Sequence, residues 1–327
     1  MNSNFKKEYE AVRESGAGIL EFPNRGLIEV SGSEAVQFLN GLITNDVKKL
    51  EDGSWMLAAF PNAQGRLLAM VRVLRIEDKF LFDVEAENYQ KVLQNLMRFT
   101  FAGDFKVNDL TDQMRLLAVN GKQAFETVNY NLQVPDALDT IAVTDVNNEQ
   151  VIVIRATHTA EKGFDLFVPH VIYENVKADL RTRGAIEISD EAREVLRIEA
   201  GIPKYGVDMD EMTVVLETGL DEAVSFTKGC YIGQEIIARI HFRGHVAKKV
   251  SGLILDENIE ITPGDALVST TGKAAGRITS TVFSPKLNKR IALGLVRYEF
   301  LASGTELFVR HGENQFTTKV AELPFVR

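Results

Sequence analysis

The order of strand-like and helix-like segments repeats along most of the chain, and this repeat sets the strongest limit on the fold. In each of two consecutive parts, short apolar runs typical of strands precede a stretch with helical spacing of apolar residues. These strand-like runs are Met56–Phe60, Arg66–Ile76 and Lys79–Val84 in the first part, and Arg115–Val119, Val151–Ile154 and Phe164–Val168 in the second. The pattern predicts two related α+β subdomains with antiparallel sheets, because a spacing of about 80 residues is too long for a solenoid repeat.

The pattern changes near His245. From Lys248 onward the chain consists of short alternating runs separated by turn residues such as Gly264 and Pro285, and no helical spacing follows Ile240. We therefore expect a separate antiparallel β-barrel or sandwich over residues 246–327, preceded by a region of residues 1–245. Within that region, the two subdomains are expected at roughly residues 1–111 and 112–245.

Helices are predicted where apolar residues recur at a helical period. One helix should cover Glu87–Arg98, and another should contain Ile172, Val176 and Leu180. Between the two, the stretch from Asn129 to Asp145 is the best candidate for an irregular insertion.

A further helix should start at the cap residue Ser189 and run to about Ala200, where Gly201 ends it. Glu199 would then lie at the end of this helix, where a carboxylate opposes the helix dipole. The residues leave two interpretations open for Glu199, a ligand contact or a salt bridge to a cation such as Arg197 or Lys204.

The only cysteine of the chain, Cys230, lies between Gly229 and Gly233. Apolar spacing predicts a helix that begins near Ile232 or Gly233, just after the thiol. The helix dipole and the nearby Lys228 would both lower the pKa of Cys230 and favour the reactive thiolate. The alternative is that Cys230 is a small buried apolar residue, although its polar neighbours favour this less.

Other polar residues have less specific patterns. Asp46 follows a predicted helix and is either a local cap or a site residue. The scattered histidines do not have the spacing of a structural zinc site, and no metal is expected. The clearest basic cluster, which is either a solvated surface or a site for an anionic ligand, comprises Arg239, His241, Arg243, His245, Lys248 and Lys249.

Composition limits the classes of partner. The 327 residues carry a formal net charge of −9, which disfavours broad attraction to DNA or other nucleic acids. The first ten residues lack an apolar signal core, and no stretch reaches about 18 uninterrupted apolar residues. We therefore expect a cytoplasmic protein that does not enter a membrane. The chain also lacks a complete phosphate-binding loop, so ATP hydrolysis is unsupported.

The segment Lys228–Glu235, with the sequence KGCYIGQE, resembles the signature of the YgfZ branch of the folate-binding GcvT superfamily. The likeness continues through Arg197–Gly206 and Arg243–Gly244. A weaker likeness covers Phe38–Val47 and Gly65–Arg66, so that the resemblance spans most of the chain.

This resemblance implies tetrahydrofolate as the bound cofactor and a ring formed by the two subdomains and the barrel. It implies that Glu199 contacts the pterin, with Tyr231 and Arg239 as further folate-binding residues. A carboxylate suits the amine and amide edge of a pterin, and a cation suits the glutamate tail.

The YgfZ branch implies an accessory protein for assembly or repair of iron–sulfur clusters, which indirectly supports tRNA-modifying enzymes. Its partners would be iron–sulfur enzymes or assembly proteins. Cys230 would be the working residue and Lys228 its electrostatic support. Since one cysteine cannot hold a cluster alone, other ligands would be needed.

The alternative within the superfamily is a folate-dependent aminomethyltransferase, in which tetrahydrofolate accepts a carbon unit from an amine. Resemblance to that branch implies a reaction that needs an aspartate beyond the end of a strand. The comparable stretch, Phe82–Lys91, has no matching downstream aspartate, which favours the accessory protein. A third hypothesis is a folate-free interaction protein that uses the fold only as a scaffold.

Overall fold

A computed structural model describes residues 3–101, 103–255 and 260–326. The chain forms two compact units that are discontinuous in sequence. Unit 1 comprises Met1–Ala192 and Glu222–Gln234, and unit 2 comprises Arg193–Asp221 and Glu235–Arg327. The subdomain and barrel boundaries predicted near residues 111 and 245 stay predictions.

Unit 1 contains two β-sheets with helices packed on them. Its strands are β1 (Gly18–Phe22), β2 (Gly26–Ser31), β3 (Ser54–Pro61), β4 (Leu67–Ile76), β5 (Lys79–Val84), β6 (Lys106–Asp109), β7 (Met114–Asn120), β8 (Ile141–Val146), β9 (Glu149–Arg155), β10 (Gly163–Pro169) and β11 (Ile186–Glu187). Its helices are α1 (Ser3–Glu10), α2 (Ala35–Leu42), α3 (Ala86–Met97), α4 (Ala124–Val128) and α5 (Tyr173–Thr182).

The first sheet has the strand order β3-β4-β5-β2-β6, and every pairing in it is antiparallel. Helices α2 and α3 cover one face, where Leu39, Val92 and Leu96 join a core with Phe80 and Phe82. Each of these side chains is almost completely buried. Their burial explains why the periodic apolar residues of α3 form a helix against the sheet.

The second sheet has the order β11-β1-β7-β10-β9-β8, with one parallel pairing between β1 and β11. Helices α4 and α5 pack on it through residues that include Val128, Val176 and Leu180. Strand β1 precedes the first sheet in sequence but pairs with β7 of the second sheet. In sequence order, the chain therefore contributes a strand to the second sheet before any strand of the first sheet.

Unit 2 contains a closed antiparallel barrel with the strand order β12-β15-β14-β13-β16-β17. Its strands are β12 (Lys248–Leu255), β13 (Ala266–Ser269), β14 (Ala274–Ser284), β15 (Lys289–Arg297), β16 (Glu306–His311) and β17 (Asn314–Ala321). Helix α6 (Asp190–Glu199) begins in unit 1 and continues into unit 2, and helix α7 (Gln234–Arg243) precedes β12.

The predicted fold class is confirmed: two antiparallel-sheet α+β subdomains and a closed six-strand barrel are present. Helix α6 also ends as expected, because Gly201 has φ +69° and Ile202 N–H donates to the Arg197 carbonyl at 3.1 Å. The prediction of an irregular insertion up to Asp145 is partly wrong, since β8 begins at Ile141 and pairs with β9.

A buried ionic cluster joins the two sheets of unit 1. Arg72 of β4 bonds to Asp83 of the neighbouring β5 and to Asp165 of β10 in the second sheet. Arg25 also binds Asp83 at 2.5 Å, and His158 Nε2 lies 3.0 Å from Asp165 Oδ1. Both aspartates are completely buried. Apolar residues of both sheets, among them Leu74 and Phe167, form one buried cluster.

Within the part of the chain that the structure describes, none of the helices has the length and apolar character needed to cross a bilayer.

Candidate functional site

Residues Lys228–Gly233 form a loop in unit 1, and α7 begins directly after it at Gln234. This start lies within two residues of the one predicted. Cys230 is exposed on the loop, so the alternative of a buried apolar cysteine is wrong. Lys228, in contrast, is buried, and its exposed fraction is only 8%.

The Lys228 ammonium is held by backbone carbonyls. Its Nζ donates to the carbonyl of Ile43 at 2.8 Å and to that of Asn45 at 2.6 Å. Burial lowers the pKa of Lys228 to about 8, and the nearby Asp46 carboxylate partly opposes this shift. The loop is therefore anchored by a lysine whose hydrogen bonds go to the main chain that follows α2.

Two other parts of unit 1 meet the same loop. Ile232 N–H donates to the Gly41 carbonyl at the end of α2, at 3.1 Å. Gly233 has φ +79°, and a Cβ atom there would lie 2.4 Å from the Asn62 carbonyl oxygen. The three segments that carried the resemblance in this unit, around Gly41, Gly65 and Cys230, thus pack together although they are far apart in sequence.

The loop after α2 also holds the chain just before Lys228. Thr44 Oγ1 donates to the Ala223 carbonyl at 2.6 Å, and Asn45 Nδ2 donates to the Glu222 carbonyl at 3.0 Å. Asp46 caps the following turn, because its Oδ1 accepts the Lys48 N–H at 3.2 Å. The structural interpretation of Asp46 is confirmed.

Tyr231 lies beside Lys228, with its ring centroid 5.1 Å from the ammonium nitrogen. Burial raises the pKa of Tyr231 to about 12, so the phenol stays protonated at neutral pH. Lys228, Cys230 and Tyr231 are therefore gathered in one loop of unit 1. The proposed support of a Cys230 thiolate by Lys228 stays a prediction, and the observed bonds of Lys228 give it an anchoring role.

Glu199 lies in unit 2 at the end of α6 and is completely buried. The Ser284 hydroxyl, at the end of β14, donates to its Oε1 at 2.5 Å. The Glu199 carbonyl accepts the Phe325 N–H at 2.9 Å, which fastens the carboxyl-terminal segment to the helix. Of the cations that the sequence suggested as partners, Arg197 instead pairs with Glu194 and Asp208.

Arg239 is also in unit 2, on the exposed side of α7. Its guanidinium lies 3.0 Å from Glu235, one helical turn earlier, and 65% of its side chain is exposed. An exposed guanidinium of this kind can exchange its partner for another carboxylate at small cost. The predicted folate residues are thus divided between Tyr231 in unit 1 and Glu199 and Arg239 in unit 2.

The strand end that corresponds to the aminomethyltransferase region holds Asp83. This carboxylate is completely buried between Arg25 and Arg72, and their charges and hydrogen bonds outweigh burial and lower its pKa. A carboxylate committed to two guanidinium groups is a poor proton acceptor. The ionic cluster of Asp83 and Asp165 was not predicted, although an aspartate inside each of two apolar strands indicated buried partners.

The amino-acid sequence matches two protein families in succession. Residues 1–228 match the GCVT N-terminal domain, and residues 248–327 match the glycine cleavage T-protein C-terminal barrel domain.

Relatives of known name match over nearly the whole chain. An aminomethyltransferase of Rubrobacter xylanophilus is 32% identical, with 99% of this chain and 87% of the relative covered. An aminomethyltransferase of Halalkalibacterium halodurans is 28% identical over 99% of this chain and 90% of the relative. The crystal structure of the glycine cleavage system aminomethyltransferase T from Bartonella henselae superposes with a TM-score of 0.89 at 25% identity, covering 98% of this chain and 89% of that chain.

These findings correct the main functional prediction. An accessory protein for iron–sulfur clusters was expected, but the relatives that cover the chain almost completely are aminomethyltransferases. The prediction was wrong because it gave a single eight-residue segment and one missing aspartate more weight than the rest of the chain. The same finding favours the alternative, a folate-dependent transferase.

Proposed function

The chain belongs to the family of the glycine cleavage T-protein, and on that premise we propose that it is a tetrahydrofolate-dependent aminomethyltransferase. The observation that carries this proposal is the match to aminomethyltransferases across 99% of the chain, which includes both units. A shared fold alone would be weaker support, because one fold hosts many functions.

The polar residues of the chain have the chemistry that a folate requires. A pterin presents an amine and an amide edge, which pair with a carboxylate, and the ligand ends in the carboxylates of a glutamate. Glu199 supplies a buried carboxylate and Arg239 an exposed guanidinium. The Ser284 hydroxyl donates to Oε1 of Glu199, and a carboxylate oxygen can accept more than one hydrogen bond.

Each residue has a distinct role in this proposal. Glu199 accepts hydrogen bonds from the pterin edge, and Ser284 holds its carboxylate in one orientation. Since Glu199 is completely buried, a ligand reaches it only after local opening of unit 2. Arg239 leaves Glu235 to bind the glutamate carboxylate. Lys228 fixes the loop that carries Tyr231.

Bound tetrahydrofolate supplies two nitrogens that accept a carbon unit at the oxidation level of formaldehyde. The residues of the chain bind the ligand and exclude water. Asp83 does not act as a base there, because Arg25 and Arg72 hold its carboxylate.

A finer proposal concerns the branch of the family. The KGCYIGQE sequence of Lys228–Glu235 and the exposed Cys230 support membership of the YgfZ branch. This proposal concerns ancestry within the family and carries no separate activity.

Formation of product tests the proposed function. The protein is incubated without oxygen with tetrahydrofolate and a small donor that carries an aminomethyl group, and 5,10-methylenetetrahydrofolate and ammonia are measured. We expect both products in equal amounts, and we expect Glu199→Gln to slow their formation. Glu191→Gln, an exposed change on the same helix, is the matched control. Equal product with and without protein across a panel of donors would reject the transferase.

A further inference from the structure

The buried ionic cluster of unit 1 includes a histidine that the proposed function has not used. Nε2 of His158 lies 3.0 Å from each of the two carboxylate oxygens of Asp165. Asp165 is completely buried, whereas 20% of the His158 side chain is exposed. His158 therefore connects a buried carboxylate of β10 to an imidazole that other molecules can reach.

The other members of the cluster keep one charge state near neutral pH. Burial opposes the charge of Arg72, but Asp83 and Asp165 raise its pKa above the usual value. Burial alone would raise the pKa of Asp83 and Asp165, but the basic groups around them lower both. The guanidinium of Arg25 does not lose its proton. Of these groups, only the His158 imidazole is of a type that exchanges a proton near neutral pH.

The bond to Asp165 assigns different roles to the two nitrogens of the His158 ring. An ionised carboxylate can only accept, so Nε2 carries the hydrogen and donates it. In the neutral ring the lone pair then belongs to Nδ1, which makes no hydrogen bond within residues 3–101, 103–255 and 260–326. Nδ1 is not one of the buried atoms without a partner there, so solvent reaches it. A carboxylate placed in this way orients an imidazole and stabilises its protonated form during proton transfer.

The loop that carries His158 is held by further contacts. Oδ1 of Asn120, a completely buried residue of β7, accepts the His158 N–H at 2.8 Å and the Thr159 hydroxyl at 3.2 Å. Arg13 donates to the Thr159 carbonyl. The ring of Phe22 in β1 packs on the imidazole, with the ring centroids 4.6 Å apart. The orientation of His158 is therefore set before any ligand binds, as proton transfer requires.

The same cluster connects His158 to the strand end that corresponds to the aminomethyltransferase region. Asp83 lies at that strand end, and Arg72 binds both Asp83 and Asp165. The charged groups around His158 are thus Asp165, Arg72 through Asp165, and Arg25, whose guanidinium carbon lies 6.0 Å from the ring centroid of Phe22. Asp83 is unsuited to take a proton, which leaves His158 as the accessible proton acceptor of the cluster.

We propose that His158 is the proton acceptor of the transfer reaction and that Asp165 is its positioning residue. The inference rests on the proposed function, in which a folate nitrogen loses a proton as it forms its bond to the carbon unit. Nδ1 of His158 takes this proton. The bond between the carbon unit and the amine of the donor breaks, and its electron pair stays on that amine. His158 then gives the proton to the amine, which leaves as ammonia, so that no oxidant or reductant is needed.

Kinetics of His158→Gln test this inference, because the glutamine amide can still donate to Asp165 but cannot take a proton. We expect the rate of 5,10-methylenetetrahydrofolate formation to fall by about 100-fold or more, with the calorimetric affinity for tetrahydrofolate unchanged. The wild-type rate should rise between about pH 5 and pH 8, and the variant should lose this rise. His170→Gln, which changes an exposed histidine of unit 1, should keep both the rate and its pH dependence.

Two further measurements separate proton transfer from a structural role. Added imidazole should restore part of the rate of His158→Gly, since it can occupy the vacated space and accept the proton. Nuclear magnetic resonance of the protein with ¹⁵N-labelled histidine gives a signal that does not depend on turnover. In the neutral ring of His158 we expect the hydrogen on Nε2 and none on Nδ1, and we expect the Nδ1 signal to shift when tetrahydrofolate is added.

A wild-type rate in His158→Gln would overturn the inference, and so would a reduced rate that keeps the wild-type pH dependence. Failure of the proposed function is distinguishable, because the wild-type protein would then form no product. In that case the resonance experiment decides. Reversible protonation of Nδ1 between about pH 5 and pH 8, with a shift on addition of tetrahydrofolate, supports His158 as a proton acceptor at a folate site. A hydrogen that stays on Nδ1, or a signal that tetrahydrofolate leaves unchanged, overturns it.

Discussion

At the residue scale, Lys228 has a different role from the one that the sequence indicated. It was expected to stabilise a Cys230 thiolate, but its ammonium donates hydrogen bonds to the main chain. Its ammonium bonds to the carbonyls of Ile43 and Asn45, and it is buried, while Cys230 two residues later is exposed. The sequence placed both residues in one loop but could not show the direction of the Lys228 side chain. That direction depends on a loop some 180 residues earlier in the chain, which the two bonds place against Lys228.

Replacing Lys228 tests this anchoring role. Lys228→Met keeps most of the apolar stem but leaves two buried carbonyls without their donor, which should lower the free energy of unfolding by about 1–3 kcal/mol. Lys48→Met changes an exposed lysine nearby and should alter the free energy by less than about 0.5 kcal/mol. Urea denaturation measures both. Equal effects of the two changes would show that the carbonyl contacts contribute nothing.

At the scale of elements, the start of α7 depends on a close approach between two backbones. Gly233 has a positive φ and lies against the turn between β3 and β4, so any side chain there meets the Asn62 carbonyl. Gly229, in the same loop, has open space around the Cβ position. The two glycines look alike in the sequence, and only the packed structure distinguishes their roles.

The glycine pair gives a matched test. Gly233→Ala should destabilise unit 1 by about 1–3 kcal/mol, because it adds both a strained φ and a clash. Gly229→Ala should change stability by less than about 1 kcal/mol. Chemical denaturation followed by circular dichroism compares them. If Gly229→Ala were the more damaging change, the described packing of the loop would be wrong.

The buried ionic cluster between the two sheets of unit 1 predicts that the free energy of unfolding depends on pH. The pKa of Asp165 lies below its usual value of 3.8, because His158 and Arg72 outweigh the opposing effect of burial. A carboxyl whose pKa is lower in the folded state contributes stability above the unfolded pKa and loses it as the pH falls. Asp83 shifts in the same direction through Arg25 and Arg72.

Asp165→Asn should therefore cost about 3 kcal/mol at pH 7, because it leaves Arg72 buried with one fewer carboxylate. The difference from the wild type should shrink as the pH falls below about 4, because Asp165 of the unfolded chain is then protonated while Asp165 of the folded protein still resists protonation. Asp145→Asn, an exposed change on β8, should show little difference at any pH. Guanidinium denaturation across the pH range gives the curves, and a constant difference for Asp165→Asn would contradict the assigned ionic state.

At the scale of the whole molecule, the sequence predicted the architecture better than the chemistry. Periodic apolar residues identified α3 and α5, and the cap residue Ser189 with Gly201 identified α6. The loss of helical spacing after Ile240 identified the barrel. Strand β8 was missed because its residues are only partly buried and do not form an apolar run. The pairing of β1 with the second sheet could not be inferred, because register between distant strands depends on tertiary packing.

The candidate site was predicted unevenly for a similar reason. The sequence identified the Cys230 loop and the end of α6, since glycines and caps mark such positions locally. It did not predict the carbonyl partners of Lys228, the Ser284 contact of Glu199 or the joint at Arg72. Each of these contacts connects residues that are more than about ten positions apart in sequence. Local sequence patterns carry no information about contacts over such separations.

The central claim is that the chain binds tetrahydrofolate for transfer of a carbon unit, and calorimetric titration of tetrahydrofolate without oxygen tests it most directly. We predict saturable binding to the wild-type protein, at least about tenfold weaker binding to Glu199→Gln, and unchanged binding to Glu191→Gln. Absence of binding to a folded wild-type protein at millimolar tetrahydrofolate would contradict the claim.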